Sequence, residues 1–245
     1  MRRVPLIVAV RSSATYIIVS LYVLVLGPIG MLLALVFRWP GILYILGHGG
    51  VRLGFALAGI TYSVVGREHL RHDRAVVFCP NHQSNLDPPV LFEALHPRLH
   101  VLYKAELGRL PILGRVFRIG GFIPVERGHD RAREAIEAAS VSLREGHSFL
   151  VFPEGTRSRT DSLLPFKKGG FVMAIKGSAP VVPVAIRGGR EAMKKGSLMI
   201  RPARVVVRIG VPMETVGLTL DDRAALAEAV RSDIQRMRDE IGPIG

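Results

Sequence analysis

Two short polar stretches carry the residue types that could do chemistry. In Asn81-His82-Gln83-Ser84-Asn85-Leu86-Asp87, a histidine and an aspartate stand five residues apart, directly after the apolar run 75–79. An imidazole is suited to accepting a proton near neutral pH, and a carboxylate on its second ring nitrogen fixes the tautomer and stabilises the cation. That contact requires the turn to fold back on itself. In Phe152-Pro153-Glu154-Gly155-Thr156-Arg157-Ser158, a second polar turn follows the apolar run 148–152. Gly155 allows close approach of a ligand to the backbone, and Arg157 offers a planar fork for a phosphate. Each stretch also has a purely structural reading. Asp87 before Pro88 suits a helix N-cap, Asn81, Ser84 and Asn85 are ordinary turn residues, and Arg157 could simply be solvated.

The elements that must position these residues follow from the periodicity. Short apolar runs at 61–65, 75–79, 99–103, 121–125, 148–152, 181–186 and 204–209 predict strands. Segments 88–95, 111–118, 129–145, 168–176 and 220–240 predict helices. Alternation of the two predicts an α/β domain over residues 61–245, with a mostly parallel sheet flanked by helices. In such sheets ligands gather beyond the carboxyl ends of the strands, and both polar turns follow predicted strands. They are therefore expected on one edge.

Residues 1–60 differ from the rest. The stretch 14–37, "ATYIIVSLYVLVLGPIGMLLALVF", holds no charge and is long enough to reach across a bilayer core. A second apolar stretch after Pro40 is interrupted by His48 and Arg52 and is rich in glycine. Together they predict a membrane-associated helical hairpin, either two crossings or a hairpin dipping into one leaflet, with Pro28, Arg52 and the glycines counting against a second clean span. Arg2, Arg3 and Arg11 place the N-terminus, and with it the soluble part, on the cytoplasmic face of the cell membrane. The formal net charge of +13 suits an anionic membrane surface better than nucleic acid, since no RNP-like or zinc-finger pattern is present. The single cysteine, Cys79, excludes a disulfide framework and lies on a predicted buried strand.

Nucleotide-binding glycine motifs, HExxH and CxxC are absent, and Gly146–Leu150 lacks the last glycine of a nucleophile elbow, so no metal or bound cofactor is expected. The pattern Asn81-His82-x4-Asp87, then "GGFIPVER" ending at Arg127, then Glu154-Gly155-Thr156-Arg157, then Val181-Val182-Pro183-Val184-Ala185 resembles the ordered blocks of the glycerolipid acyltransferase family. The best-known members of that family are the 1-acylglycerol-3-phosphate acyltransferases. The likeness covers roughly residues 65–190, and its block at Arg127 is looser because Pro124 interrupts the strand.

The resemblance implies transfer of an acyl group from acyl-CoA or acyl-acyl carrier protein to a lysophospholipid hydroxyl, giving phosphatidic acid for phospholipid synthesis. It implies His82 as general base with Asp87 as its catalytic partner, and no cofactor beyond the thioester co-substrate. For substrate binding it implies Glu154, Gly155, Thr156 and Arg157, with Arg157 first for the acceptor phosphate, followed by Arg127 and Lys104. Glu154 would hold an arginine or bind a glycerol hydroxyl. Acylation of another lysophospholipid or of glycerol 3-phosphate fits the same blocks, and a non-catalytic lipid-binding membrane protein is the alternative of a different class. The basic loop 187–197, "RGGREAMKKGS", reads as solvated or as touching donor or membrane, and the C-terminal helix as packing only.

Overall fold

The structure is a computed structural model of the chain and describes residues 5–70, 72–95, 99–125 and 129–244, with the side chains of 129–132 left aside. Two long helices come first: α1 (Leu6–Val36) and α2 (Gly41–Ala58). Helix α1 runs unbroken through Pro28, so that residue does not interrupt the span as its type suggests. Two residues on, Gly30 lets the helix approach Leu43 and Leu46 of α2 closely. Much of α1 is bare: Leu6, Ile17, Leu21, Leu32 and Leu35 are all exposed.

Strand β1 (Ile60–Val65) opens a seven-stranded sheet completed by β2 (Val77–Pro80), β3 (His100–Lys104), β4 (Ile123–Val125), β5 (Phe149–Leu150), β6 (Val181–Arg187) and β7 (Ala203–Ile209). Their order is β1-β7-β6-β2-β5-β3-β4. Strands β2 to β6 are mutually parallel, while β7 runs antiparallel to β6 and carries β1 parallel to itself. The intervening helices are α3 (Asp87–Ala94), α4 (Leu113–Ile119), α5 (His129–Arg144), α6 (Gly169–Lys176), the single turn α7 (Gly189–Ala192) and α8 (Arg223–Ile241).

The two-residue period of the strands sorts side chains onto two faces. Phe78, Val182, Val184 and Ile186 join Phe55 of α2 and Val90 and Leu91 of α3 in one core. Val77, Cys79, Val181 and Ala185 join Ala139 of α5, Phe171 of α6 and Val230 of α8 in the other. Burial of both faces explains why the central strands read as continuous apolar runs. Cys79 is fully buried in the second core, and loss of solvation pushes its thiol pKa up, which leaves no thiolate for nucleophilic chemistry. Because β2, β3, β5 and β6 point the same way, the turns that follow them share one edge of the sheet.

Candidate active site

The edge is organised around β2. Past Pro80, the Asn81 side chain behaves as a further rung of the sheet: its Nδ2 donates to the Ile186 carbonyl at 3.0 Å and its Oδ1 accepts from the Ile186 N–H at 2.8 Å. This double bond to β6 fixes the backbone entering His82. The His82 ring then stacks on Phe152 at the end of the neighbouring strand, with centroids 4.0 Å apart. Its Nδ1 lies 2.9 Å from Asp87 Oδ2. Nε2 has no partner among the described residues, and the side chain retains 16% exposure, so this nitrogen is the one left for an incoming proton.

Asp87 reaches the histidine because its helix begins with prolines. An N-cap carboxylate accepts from the N–H groups of the first turn, but Pro88 and Pro89 have none, and the Val90 N–H bonds the Leu86 carbonyl. The helix therefore starts at Asp87 without a side-chain cap, and the capping reading fails. The carboxylate turns back into the loop instead. Oδ2 accepts from the Gln83 N–H at 2.6 Å and the Ser84 N–H at 2.7 Å, in addition to the imidazole. Oδ1 is buried without a hydrogen-bond partner and lies against Gly189, where an added Cβ would come within 2.2 Å of it.

The second turn is tied to the first through backbone. Glu154 is only 3% exposed; its Oε1 accepts from the His82 N–H at 2.7 Å and its Oε2 from the Leu164 N–H at 2.9 Å. Burial raises the Glu154 carboxyl above its ordinary range, against the opposing pull of the Leu164 and His82 amides. Both oxygens thus serve the loop scaffold. Four residues on, the Ser158 N–H donates to the His82 carbonyl at 2.8 Å. The two turns clasp each other on both sides of the imidazole.

Gly155 takes φ +66° and lies beneath the Lys167 side chain. Thr156 is exposed, and its Oγ1 accepts from Lys195 Nζ at 3.2 Å, while the Arg157 carbonyl accepts from the same ammonium at 2.7 Å. The Arg157 guanidinium is half-buried, and its Nη1 is shielded from solvent without a partner. A cation held in that state is poised for an anion. Lys104 ends β3 on the same edge but two strands from β2, and its ammonium is exposed and paired with Glu106 at 3.1 Å. Arg127 lies outside the described residues.

Sequence reasoning missed a third connection. Asp161 accepts from Gln83 Nε2 at 3.2 Å, Arg187 Nη2 at 3.1 Å and Arg238 Nη2 at 2.7 Å. Desolvation opposes the charged form, yet the Gln83 amide and the two guanidiniums hold the Asp161 carboxyl below its usual range. Arg238 is 1% exposed on α8, so the C-terminal helix reaches the loop beside His82 and does more than pack. An arginine within an apolar helical stripe was the available sign.

The arrangement holds a histidine–carboxylate pair on a clasped double turn whose second half also carries the unpaired guanidinium nitrogen of Arg157. The family model described as Acyltransferase matches residues 61–187, which spans both turns and β6. The 1-acyl-sn-glycerol-3-phosphate acyltransferase alpha of Mus musculus is 34% identical over 194 residues, covering 77% of this chain and 67% of that protein. The chain belongs to the acyltransferase family. A plant relative of this acyltransferase, named 1-acyl-sn-glycerol-3-phosphate acyltransferase in Limnanthes douglasii, is 30% identical over 200 residues, covering 78% of this chain and 70% of its own length. Among solved structures, the 1-acyl-sn-glycerophosphate acyltransferase PlsC of Thermotoga maritima superimposes with a TM-score of 0.83, covering 96% of this chain and 97% of that one at 23% identity. The fold, N-terminal helices included, is thus shared along nearly the whole chain.

Proposed function

We propose that this acyltransferase moves an acyl group from a thioester, on coenzyme A or acyl carrier protein, to the free hydroxyl of a 1-acylglycerol 3-phosphate, giving phosphatidic acid. The observation that carries the reading is the 2.9 Å contact of His82 Nδ1 with buried Asp87, which leaves Nε2 without a partner among the described residues, on a loop bonded to the turn that carries Arg157. The names of the relatives supply the acceptor class.

In this mechanism the hydroxyl oxygen attacks the thioester carbonyl carbon while His82 Nε2 takes its proton, a step worth roughly 10²–10⁴ in rate. Asp87 holds Nδ1–H and stabilises the imidazolium through charge. The tetrahedral intermediate expels the thiolate by breaking the C–S bond, and the imidazolium returns the proton to sulfur. Arg157, aided by Thr156, binds the acceptor phosphate; Lys104 and Arg127 are further candidates for the same task. Glu154 and Gly155 shape the turn that presents them.

Residues 1–60 attach the domain 61–245 to the membrane, where acceptor and product reside. Both α1 and α2 are long and apolar enough to cross a bilayer by length and composition. Yet Glu93 of α3, whose side chain is 1% exposed, binds both His48 and Arg52 of α2, the latter at 2.8 Å. That tie to the catalytic layer favours a hairpin seated in one leaflet, on the cytoplasmic face given by the N-terminal arginines.

The test is transfer from labelled acyl-CoA and acyl-acyl carrier protein to lysophosphatidic acid, other lysophospholipids and glycerol 3-phosphate. Labelled phosphatidic acid from the wild type and a loss of at least two orders of magnitude in folded His82→Ala are expected. Wild type and variant equally inert with every pair would sink the reading.

A further inference from the structure

Beside the 154–158 turn lies an open-sided cavity of about 410 Å³, lined by Ser158, Arg159, Arg190, Lys194, Lys195 and Gly196. It contains four cationic side chains and no acidic one. None of the four has an acidic partner among the described residues; Lys195 is held only by Thr156 Oγ1 and the Arg157 carbonyl. Glu191, the nearest acid in sequence, is exposed and outside the lining. Converging like charges in one concavity raise a strong positive potential that is relieved by a polyanion.

The cavity is also built into the catalytic scaffold. Ser158 in its wall donates its N–H to the His82 carbonyl at 2.8 Å. The segment that supplies Arg190, Lys194, Lys195 and Gly196 is braced on the histidine loop by the bond from Ser84 Oγ to the Met193 carbonyl at 2.9 Å. Its backbone bends sharply at Gly188, where φ is +94° and an added Cβ would strike the Arg204 carbonyl at 2.1 Å.

We infer that this cavity is the seat of the nucleotide phosphates of an acyl-coenzyme A donor. The inference rests on the acyl-transfer reading above and adds the donor's identity and location. Size and charge choose the occupant. The acceptor offers a single phosphate, for which the unpaired Arg157 Nη1 stands ready on the neighbouring turn. A cavity of about 410 Å³ is within the roughly 300–1,000 Å³ of small-ligand sites, more than one phosphate needs. Coenzyme A carries a diphosphate and a 3′-phosphate on one nucleotide, which matches four unpaired cations. Its long pantetheine arm can carry the thioester from there to His82. The prosthetic arm of an acyl carrier protein bears only one phosphodiester and leaves most of that charge unanswered.

The experiment uses the full chain in detergent, with palmitoyl-CoA and palmitoyl-pantetheine as alternative donors to lysophosphatidic acid. Arg190→Gln combined with Lys194→Gln removes two cations that touch neither His82 nor Arg157. The expected result is a KM for palmitoyl-CoA raised roughly ten-fold or more, with kcat and the KM for lysophosphatidic acid unchanged. Transfer from palmitoyl-pantetheine, which has no nucleotide, stays at the wild-type rate. Adenosine 3′,5′-bisphosphate binds the wild type in calorimetry, competes with palmitoyl-CoA, and binds the double variant at least ten-fold more weakly.

A raised KM for lysophosphatidic acid, an equal loss with both donors, or use of acyl carrier protein alone would overturn the inference while leaving acyl transfer standing. If no donor is turned over, the acyl-transfer reading fails by itself. Calorimetry then decides the cavity: loss of nucleotide binding in the variant supports it, and no binding by the wild type refutes it.

Discussion

Replacing Asp87 by asparagine isolates the charge of the buried carboxylate from its shape. In the wild type, Oδ2 accepts from the Gln83 N–H at 2.6 Å, the Ser84 N–H at 2.7 Å and His82 Nδ1 at 2.9 Å. An asparagine oxygen can occupy that point and keep all three donors, so the loop and the histidine tautomer survive. The new NH₂ falls where Oδ1 is buried against Gly189, with no acceptor, which costs about 1–2 kcal/mol of stability. What vanishes is the attraction between carboxylate and the imidazolium formed as the hydroxyl attacks. Unit charges about 4 Å apart in a medium of effective dielectric ~20 attract by about 4 kcal/mol. Asp87→Asn should therefore lower kcat by two to three orders of magnitude, about 3–4 kcal/mol, with the KM for lysophosphatidic acid nearly unchanged. Initial rates against acceptor at saturating donor, with circular dichroism and thermal unfolding to confirm the fold, measure this. A folded Asp87→Asn protein retaining more than a tenth of wild-type kcat would show that Asp87 serves only as the anchor of its loop.

Three other outcomes follow from the same geometry. Glu154→Gln sets an NH₂ against a backbone N–H, because both carboxylate oxygens already accept from amides; a loss of about 1–3 kcal/mol in thermal or denaturant unfolding is expected, with an unchanged KM for the acceptor in the folded fraction. A raised KM at full stability would return Glu154 to direct substrate contact. In Gly189→Ala the added Cβ would lie 2.2 Å from Asp87 Oδ1 unless the carboxylate shifts, so kcat should fall at least ten-fold with a stability loss of about 1–3 kcal/mol, and wild-type rates would mean the contact is easily relaxed. His100, 8% exposed and stacked on His147, has its pKa lowered to about 4 by burial and, secondarily, by the His147 charge. The unfolded chain then takes up this proton first as pH falls, so stability is complete above about 6.5 and drops by about 3 kcal/mol towards pH 4. In His100→Phe the thermal midpoint should vary less over that window, and an identical slope in both proteins would contradict the assignment.

The parts of this fold that were legible in the sequence are those set by local chemistry. Strand β6, buried on both faces, appears as an apolar run, and the half-buried β1 and alternating β7 show through their β-branched residues, so all three lie within a residue or two of their predicted bounds. The exposed face of α1 is legible for the opposite reason, since an uncharged stretch that length has nowhere in a small domain to hide. By contrast, β5 shrinks to Phe149–Leu150, because the chain after Val151 must leave the sheet to bring Glu154 and Ser158 against His82. In the site, histidine and aspartate announce themselves by type, but their contact depends on Pro88 and Pro89 denying the carboxylate a cap to make. Asn81 looks like a turn residue because its partner, Ile186, is 105 positions away. Asp161 and Arg238 are likewise separated by 77 positions, and no local pattern relates a polar turn to the buried face of a terminal helix. The acyltransferase site is thus spelled out where one residue suffices for a task. It is silent where the task is shared across the sheet, and those shared contacts are what hold the imidazole still.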